Sequence, residues 1–231
     1  MIWAWVIVGL LITQFLILIM LQRINWKNFQ SNPTSLPLVS ILIAARNEEE
    51  DLPKLLHSLE KLDYPIEKLE ILFADDDSQD KTLEILTSWC GKHPHAKQIR
   101  VSSDQFQRFH SNGKANALAI LATQAKGDYF FFTDADCEVP ASWITAGLAP
   151  FREKTGMVIG VTQVKAFSLL GYMQELDWWN TLSIVKVITD LGKSTTGLGN
   201  NMVVSKEAYV RSGGFEDCGS SLTEDLELSR L

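Results

Sequence analysis

Asp134 and Asp136 stand one residue apart in YFFFTDADCEVP (129–140), directly after an aromatic run. On extended backbone, side chains at i and i+2 project to the same side, so the two carboxylates would share one spot. Two ionised carboxylates about 5 Å apart repel by roughly 3 kcal/mol at an effective dielectric near 20. A divalent cation relieves that repulsion. Hard carboxylate oxygens suit Mg²⁺ or Mn²⁺, with a phosphate as a further ligand. Taken alone, the same three residues also describe a solvated turn at a strand end.

Two further acidic clusters follow apolar runs in the same way: ARNEEED (45–51) and DDDSQD (75–80). Neither DDDSQD nor the run from Asp134 is an EF-hand. The pattern needs Gly at its sixth position and Glu at its twelfth, and the chain has Asp80 and Leu86, or Val139 and Thr145. Ser78 or Asp80 is placed to cap a following helix. SNGKANAL (111–118) sets Lys114 at a helix start, where a cation is unfavourable unless an anion lies nearby, and it lacks the Walker A spacing. LTEDLELS (222–229) carries Glu224 and Asp225 at a helix start, where the dipole favours carboxylates. His93 and His95 flank Pro94 without matching metal ligands elsewhere, and no Ser/His/Asp spacing stands out.

The elements that must position these residues alternate. LVSILIAA (38–45), LEILFA (69–74), QIRVSS (98–103) and YFFFT (129–133) read as strands. Between them lie amphipathic helices: one starting near Asp51, with Pro53 in its first turn, one over 81–90, and one over 113–125. Apolar runs without alternation indicate strands buried on both faces. Right-handed crossovers then give an α/β fold with a doubly wound, mostly parallel sheet flanked by helices. Ligands of such sheets bind beyond the carboxyl ends of the strands, where all three acidic clusters fall. GMVIGVTQV (156–164) predicts a further strand. Residues 167–191 predict a long helix, either covering the sheet or lying at a membrane surface.

The chain has 231 residues, 46% of them hydrophobic, and a net charge of −7. That charge argues against a general nucleic-acid binder, which needs a basic face to release counterions. Cys90, Cys137 and Cys218 form no CxxC pair and read as reduced thiols. Ile2–Leu21 holds no charge and is long enough to span a bilayer as a helix. Arg23 and Lys27 follow it, so the positive-inside tendency leaves the remainder in the cytoplasm, and Trp3 and Trp26 suit the two interfaces. The expected organisation is a transmembrane anchor at 1–24, a linker at 25–37, and one catalytic domain at 38–231.

In order along the chain, VSILIAARNEEEDLPKLLHSL, ADDDSQDKT, NGKANAL, FFFTDADCEVP, GLGNNMVVSKEAYVRSGGF and TED resemble the family 2 glycosyltransferases. The resemblance covers about Pro37 to Leu231. It implies a GT-A fold and inverting transfer of a sugar from a nucleotide diphosphate sugar, with a UDP-sugar favoured. It also implies an Mg²⁺ or Mn²⁺ cofactor and a lipid or polysaccharide acceptor at the cytoplasmic face of the cell membrane. It assigns Ala45, Arg46, Asn47, Glu48 and Asp76 to the nucleoside pocket, and Lys114 and Asp134 to the donor. Asp134 and Asp136 become metal ligands and Asp225 the general base, with Gly199, Asn200 and Glu224 on the acceptor side. Asp77 replaces a glycine usual in the family. The QxxRW motif of processive members is absent, and the chain stops six residues after Asp225. A C-terminally truncated chain is therefore expected, and a truncated, inactive interaction protein of the same fold is the alternative.

Overall fold

The computed structural model describes residues 2–24, 29, 36–101, 113–193 and 198–217. Glu224 and Asp225 lie outside the described residues, as do most of the expected linker and Ser111–Asn112. In chain order the elements are α1 (Ile2–Ile24), β1 (Val39–Ala45), α2 (Leu52–Leu59), β2 (Leu69–Asp75), α3 (Thr82–Cys90), β3 (Ala96–Arg100) and α4 (Gly113–Gln124). They continue with β4 (Tyr129–Phe132), α5 (Trp143–Leu148), β5 (Met157–Ile159), α6 (Leu169–Asp190), β6 (Met202–Ser205), α7 (Lys206–Arg211) and α8 (Gly214–Asp217). The chain divides into two compact units, Phe29–Gly160 with Gly197–Leu231, and Met1–Asn28 with Val161–Thr196.

The first of these units is a six-stranded sheet in the order β3-β2-β1-β4-β6-β5. β3, β2, β1 and β4 run parallel, and β6 lies antiparallel between β4 and β5. Both faces are covered. Ile41, Ile43, Ile71, Phe73 and Phe131 pack into one buried cluster with Leu52, Leu55 and Leu86, while Leu42, Leu72, Phe130 and Phe132 pack into another with Leu118, Leu121 and Phe215. Successive strand residues thus enter opposite cores, which is why these strands read as unbroken apolar runs.

Two strand expectations change. The run at 156–164 forms a strand only over Met157–Ile159, and its last bond toward β6 is Gly160 N–H to Asn201 O at 2.8 Å. β3 begins at Ala96, two residues before the apolar run, and ends at Arg100, the register partner of Asp75.

In the other unit, α1 and α6 pack together. α1 has a mean hydropathy of 2.6 over Ile2–Arg23, long and apolar enough to cross a membrane. Ser168 Oγ caps α6 by accepting from Gly171 N. Trp178 Nε1 donates to Thr162 O at 2.8 Å and Gln163 Nε2 to Glu175 Oε1 at 3.0 Å, which holds one side of α6 to the chain before it. Leu169, Tyr172, Met173, Leu176 and Trp179 recur at helical spacing on the other side and stay exposed.

Candidate active site

The chain leaves β1, β2 and β4 at the same edge of the sheet, and a cleft of about 200 Å³ opens there. Its lining is Ala44, Ala45, Arg46, Glu48, Asp76, Lys114, Asp134, Ala135 and Asp136. Seven of the residues singled out from the sequence, spread over 92 positions, converge on it: Ala45, Arg46, Glu48, Asp76, Lys114, Asp134 and Asp136.

Asn47 does not line the cleft. It adopts a left-handed φ of 56°, which Asn tolerates better than most residues. From there its N–H donates to Ser78 Oγ at 3.0 Å and its Oδ1 accepts from Gln79 N at 2.8 Å. Three more bonds join the same two loops: Glu48 N to Thr82 Oγ1 (2.8 Å), Glu49 N to Asp80 Oδ2 (3.1 Å) and Lys81 N to Glu49 Oε2 (3.0 Å). The loop after β1 is thus laced to the loop after β2. Ser78, Thr82 and Glu49 serve the site by holding Arg46 and Glu48 in place, and a separation of about 30 residues hides them from local pattern reading.

Asp76 sits at the floor of the cleft, its side chain 6% exposed, with Arg46 Nη1 at 3.7 Å from Oδ2. Its Oδ1 is buried without a hydrogen-bond partner. Desolvation pushes its carboxyl above the ordinary range, the Arg46 charge opposes that, and Asp75 and Asp77 reinforce it. Gly113 at the start of α4 abuts the Asp76 carboxylate so closely that a Cβ there would collide with it. The glycine of NGK is therefore required by contact. Asp77, where the resemblance implies glycine, takes a left-handed φ of 57°. Its carboxylate lies 3.6 Å from Arg100 Nη2.

Asp134 and Asp136 do not continue the strand. β4 stops at Phe132, and the chain turns with Cys137 N–H donating to Asp134 O at 3.2 Å. Ala135 is buried in the core between them, which leaves both flanking carboxylates on the cleft. Lys114 Nζ lies 2.6 Å from Asp134 Oδ1, a charge-assisted contact. Glu48 is pushed above the usual carboxylate range by desolvation and then by Asp136, Asp51, Asp134 and Asp80. Cys137 Sγ–H donates to Asp136 Oδ1 at 3.6 Å. Burial, with Asp136 and Asp134 nearby, pushes that thiol up to about 11, so it stays protonated.

This donor set fits a hard divalent cation. Asp134 Oδ1 already faces a positive charge, Asp136 is exposed, and Glu48 is raised by desolvation and then by the neighbouring carboxylates. Among the described residues no group of three or more His, Cys, Asp and Glu side chains is arranged to hold a metal. Two carboxylates would leave the remaining positions to phosphate and water, as Mg²⁺ commonly accepts. Gly199 and Asn200 form a turn before β6, outside the lining, and the neighbouring Asn201 Oδ1 accepts from Trp143 Nε1 at 3.0 Å. A larger hollow of about 420 Å³ lies between α2 and α3. Its central carboxylate, Glu60, accepts from Trp89 Nε1 at 2.9 Å and faces His93 at 3.6 Å and His57 at 3.8 Å.

A mixed sheet with an acid-lined cleft at the ends of its parallel strands, and helices on both faces, is a GT-A fold. It matches a mannosyltransferase from Pyrobaculum calidifontis, solved in complex with GDP-Man and Mn²⁺, with a TM-score of 0.68 and 21% identity. That match covers 93% of this chain and 57% of the other. The Glycosyl transferase family 2 model matches residues 40–213, and the chain belongs to that family. A beta-monoglucosyldiacylglycerol synthase of Trichormus variabilis is 33% identical over 202 residues, covering 84% of this chain and 41% of the relative. A poly-beta-1,6-N-acetyl-D-glucosamine synthase of Staphylococcus epidermidis is 28% identical over 194 residues, covering 83% and 44%. The chain spans less than half the length of these curated relatives.

Proposed function

We propose that the chain carries the donor-binding part of an inverting, membrane-anchored glycosyltransferase. It would move a sugar from a nucleotide diphosphate sugar, a UDP-sugar first, to a lipid or polysaccharide acceptor at the cytoplasmic face. The observation that carries this reading is the convergence of Arg46, Glu48, Asp76, Lys114, Asp134 and Asp136 on one cleft at the carboxyl ends of β1, β2 and β4. Family membership and the apolar α1 helix support it.

In this reading the buried Asp76 carboxylate receives N–H groups of the base, which supply the partner its Oδ1 lacks within the protein. Arg46, held beside Asp76, and Lys114 contribute positive charge toward the donor. Asp134 and Asp136 would hold Mg²⁺ or Mn²⁺, which stabilises the negative charge growing on the diphosphate leaving group. The acceptor hydroxyl attacks the anomeric carbon as the bond from that carbon to the phosphate oxygen breaks. Asp225 takes the hydroxyl proton as general base. Gly199, Asn200 and Glu224 are assigned to the acceptor side.

The test is thermal denaturation of the chain with UDP- and GDP-sugars in the presence of Mn²⁺. A rise in melting temperature with one nucleotide, reversed by EDTA, is expected, and no shift with any donor at millimolar concentration would refute the proposal. Asp225→Asn should abolish transfer and leave that shift in place.

A further inference from the structure

The cleft contains its own cation. Lys114 is the second residue of α4, where an ammonium is disfavoured by the helix dipole, yet its Nζ lies 2.6 Å from Asp134 Oδ1. Four carboxylates and two cations line this space: Glu48, Asp76, Asp134 and Asp136 against Arg46 and Lys114. Arg46 pairs with Asp76 at 3.7 Å. Lys114 thus supplies the positive charge on the Asp134–Asp136 side. Beneath it, Gly113 is seated against the Asp76 carboxylate with no room for a Cβ. The side chain is a different matter. Both it and Asp134 are about one-third exposed, and a lysine stem can carry its ammonium several ångströms by rotation alone.

We propose that Lys114 is a resident counter-ion for Asp134 that a divalent cation displaces, and that the displaced ammonium then turns to the donor diphosphate. The idea rests on the functional reading above and deepens it. A divalent cation that takes Asp134 Oδ1 competes with the ammonium for the same oxygen, so metal binding there breaks the Lys114–Asp134 contact. When a nucleoside diphosphate is present, the freed ammonium gains a new anionic partner. Metal and nucleotide therefore help each other bind, and Lys114 couples them. By thermodynamic reciprocity the factor by which UDP tightens Mn²⁺ equals the factor by which Mn²⁺ tightens UDP.

The experiment titrates Mn²⁺ into the full chain in detergent, reading free Mn²⁺ by its electron paramagnetic resonance signal, with and without UDP. Lys114→Met is compared with wild type, and Lys114→Arg keeps the charge as the conservative variant. Lys114→Met should bind Mn²⁺ alone tighter by about fivefold, the range of a partly exposed ion pair, with the gain shrinking as salt is raised. Its Mn²⁺ affinity should respond less to UDP than that of wild type, while Lys114→Arg stays near wild type in both respects. Unchanged or weaker Mn²⁺ binding by Lys114→Met, or an undiminished response to UDP, overturns the counter-ion role while leaving the metal–nucleotide site standing. Absence of Mn²⁺ binding by wild type and variants, with and without UDP, overturns both.

Discussion

DDDSQD (75–80) and TDADCE (133–138) are alike in composition, and each follows a parallel strand at the same edge of the sheet. Their carboxylates nevertheless do different work. In the first run Asp75 is fully buried, Asp76 floors the cleft, and Asp80 is spent on the backbone, with Oδ1 accepting from Thr82 N and Oδ2 from Glu49 N. In the second, Ala135 fills the core, Asp134 lines the cleft with its Oδ1 against Lys114, and Asp136 stays exposed. The difference is burial. A buried carboxylate must find fixed donors or carry a raised pKa, whereas an accessible one keeps its charge for a ligand. Within the first run the split is visible in sign: desolvation raises Asp76, while for Asp80 desolvation is outweighed by the sum of hydrogen bonds from Thr82 and Glu49 that lower it.

The comparison breaks most visibly at Asp136. Asp136→Ala should lower sugar transfer by on the order of a hundredfold or more while leaving the melting temperature within about 1 °C, because the side chain is exposed. Retained transfer would erase the distinction between the runs. Next in size, Asp76→Asn should weaken nucleotide binding by roughly tenfold in a calorimetric titration. Its stability effect has the opposite direction. A carboxyl whose folded pKa is raised holds its proton more tightly when folded, so it costs stability as pH rises above the ordinary carboxylate value. Asp76→Asn should therefore melt higher than wild type at neutral pH, with the gap closing in acid.

Asp80→Ala should do the reverse, melting lower by on the order of 3 °C at neutral pH through loss of the Thr82 and Glu49 bonds. A depressed carboxyl stabilises above its unfolded pKa and stops doing so as pH falls through its folded value, so this gap also closes in acid. Equal pH profiles for the two variants would show that the run is not divided as described. The smallest effect is expected at Asp77→Gly. The left-handed φ suits glycine, and the Arg100 pair it removes is solvent-exposed, so stability and nucleotide affinity should both stay within experimental scatter.

Much of this site was legible beforehand. The apolar runs ending in Ala45, Asp75 and Phe132 place their following residues at one edge once they are read as parallel strands, and seven of the expected residues meet there. The i, i+2 rationale for Asp134 and Asp136 expected an extended strand, whereas a turn and a buried Ala135 bring the two to the cleft. Asn47, expected at the nucleoside, does not line the cleft and ties two loops together.

By itself the sequence determined the alternation of elements, the two-sided burial of the strands, the apolar N-terminal helix and the chemical character of the strand-end loops. These follow from periodicity and residue type over a few positions, where backbone geometry alone dictates which side chains share a face. Only the tertiary structure decided which carboxylate is a floor, which a brace and which stays exposed on the cleft. It also set the antiparallel course of β6, the fit of Gly113 on Asp76 and the reach of Lys114 to Asp134. Those depend on contacts between residues far apart in the chain, where desolvation and charge are fixed by what the fold brings alongside.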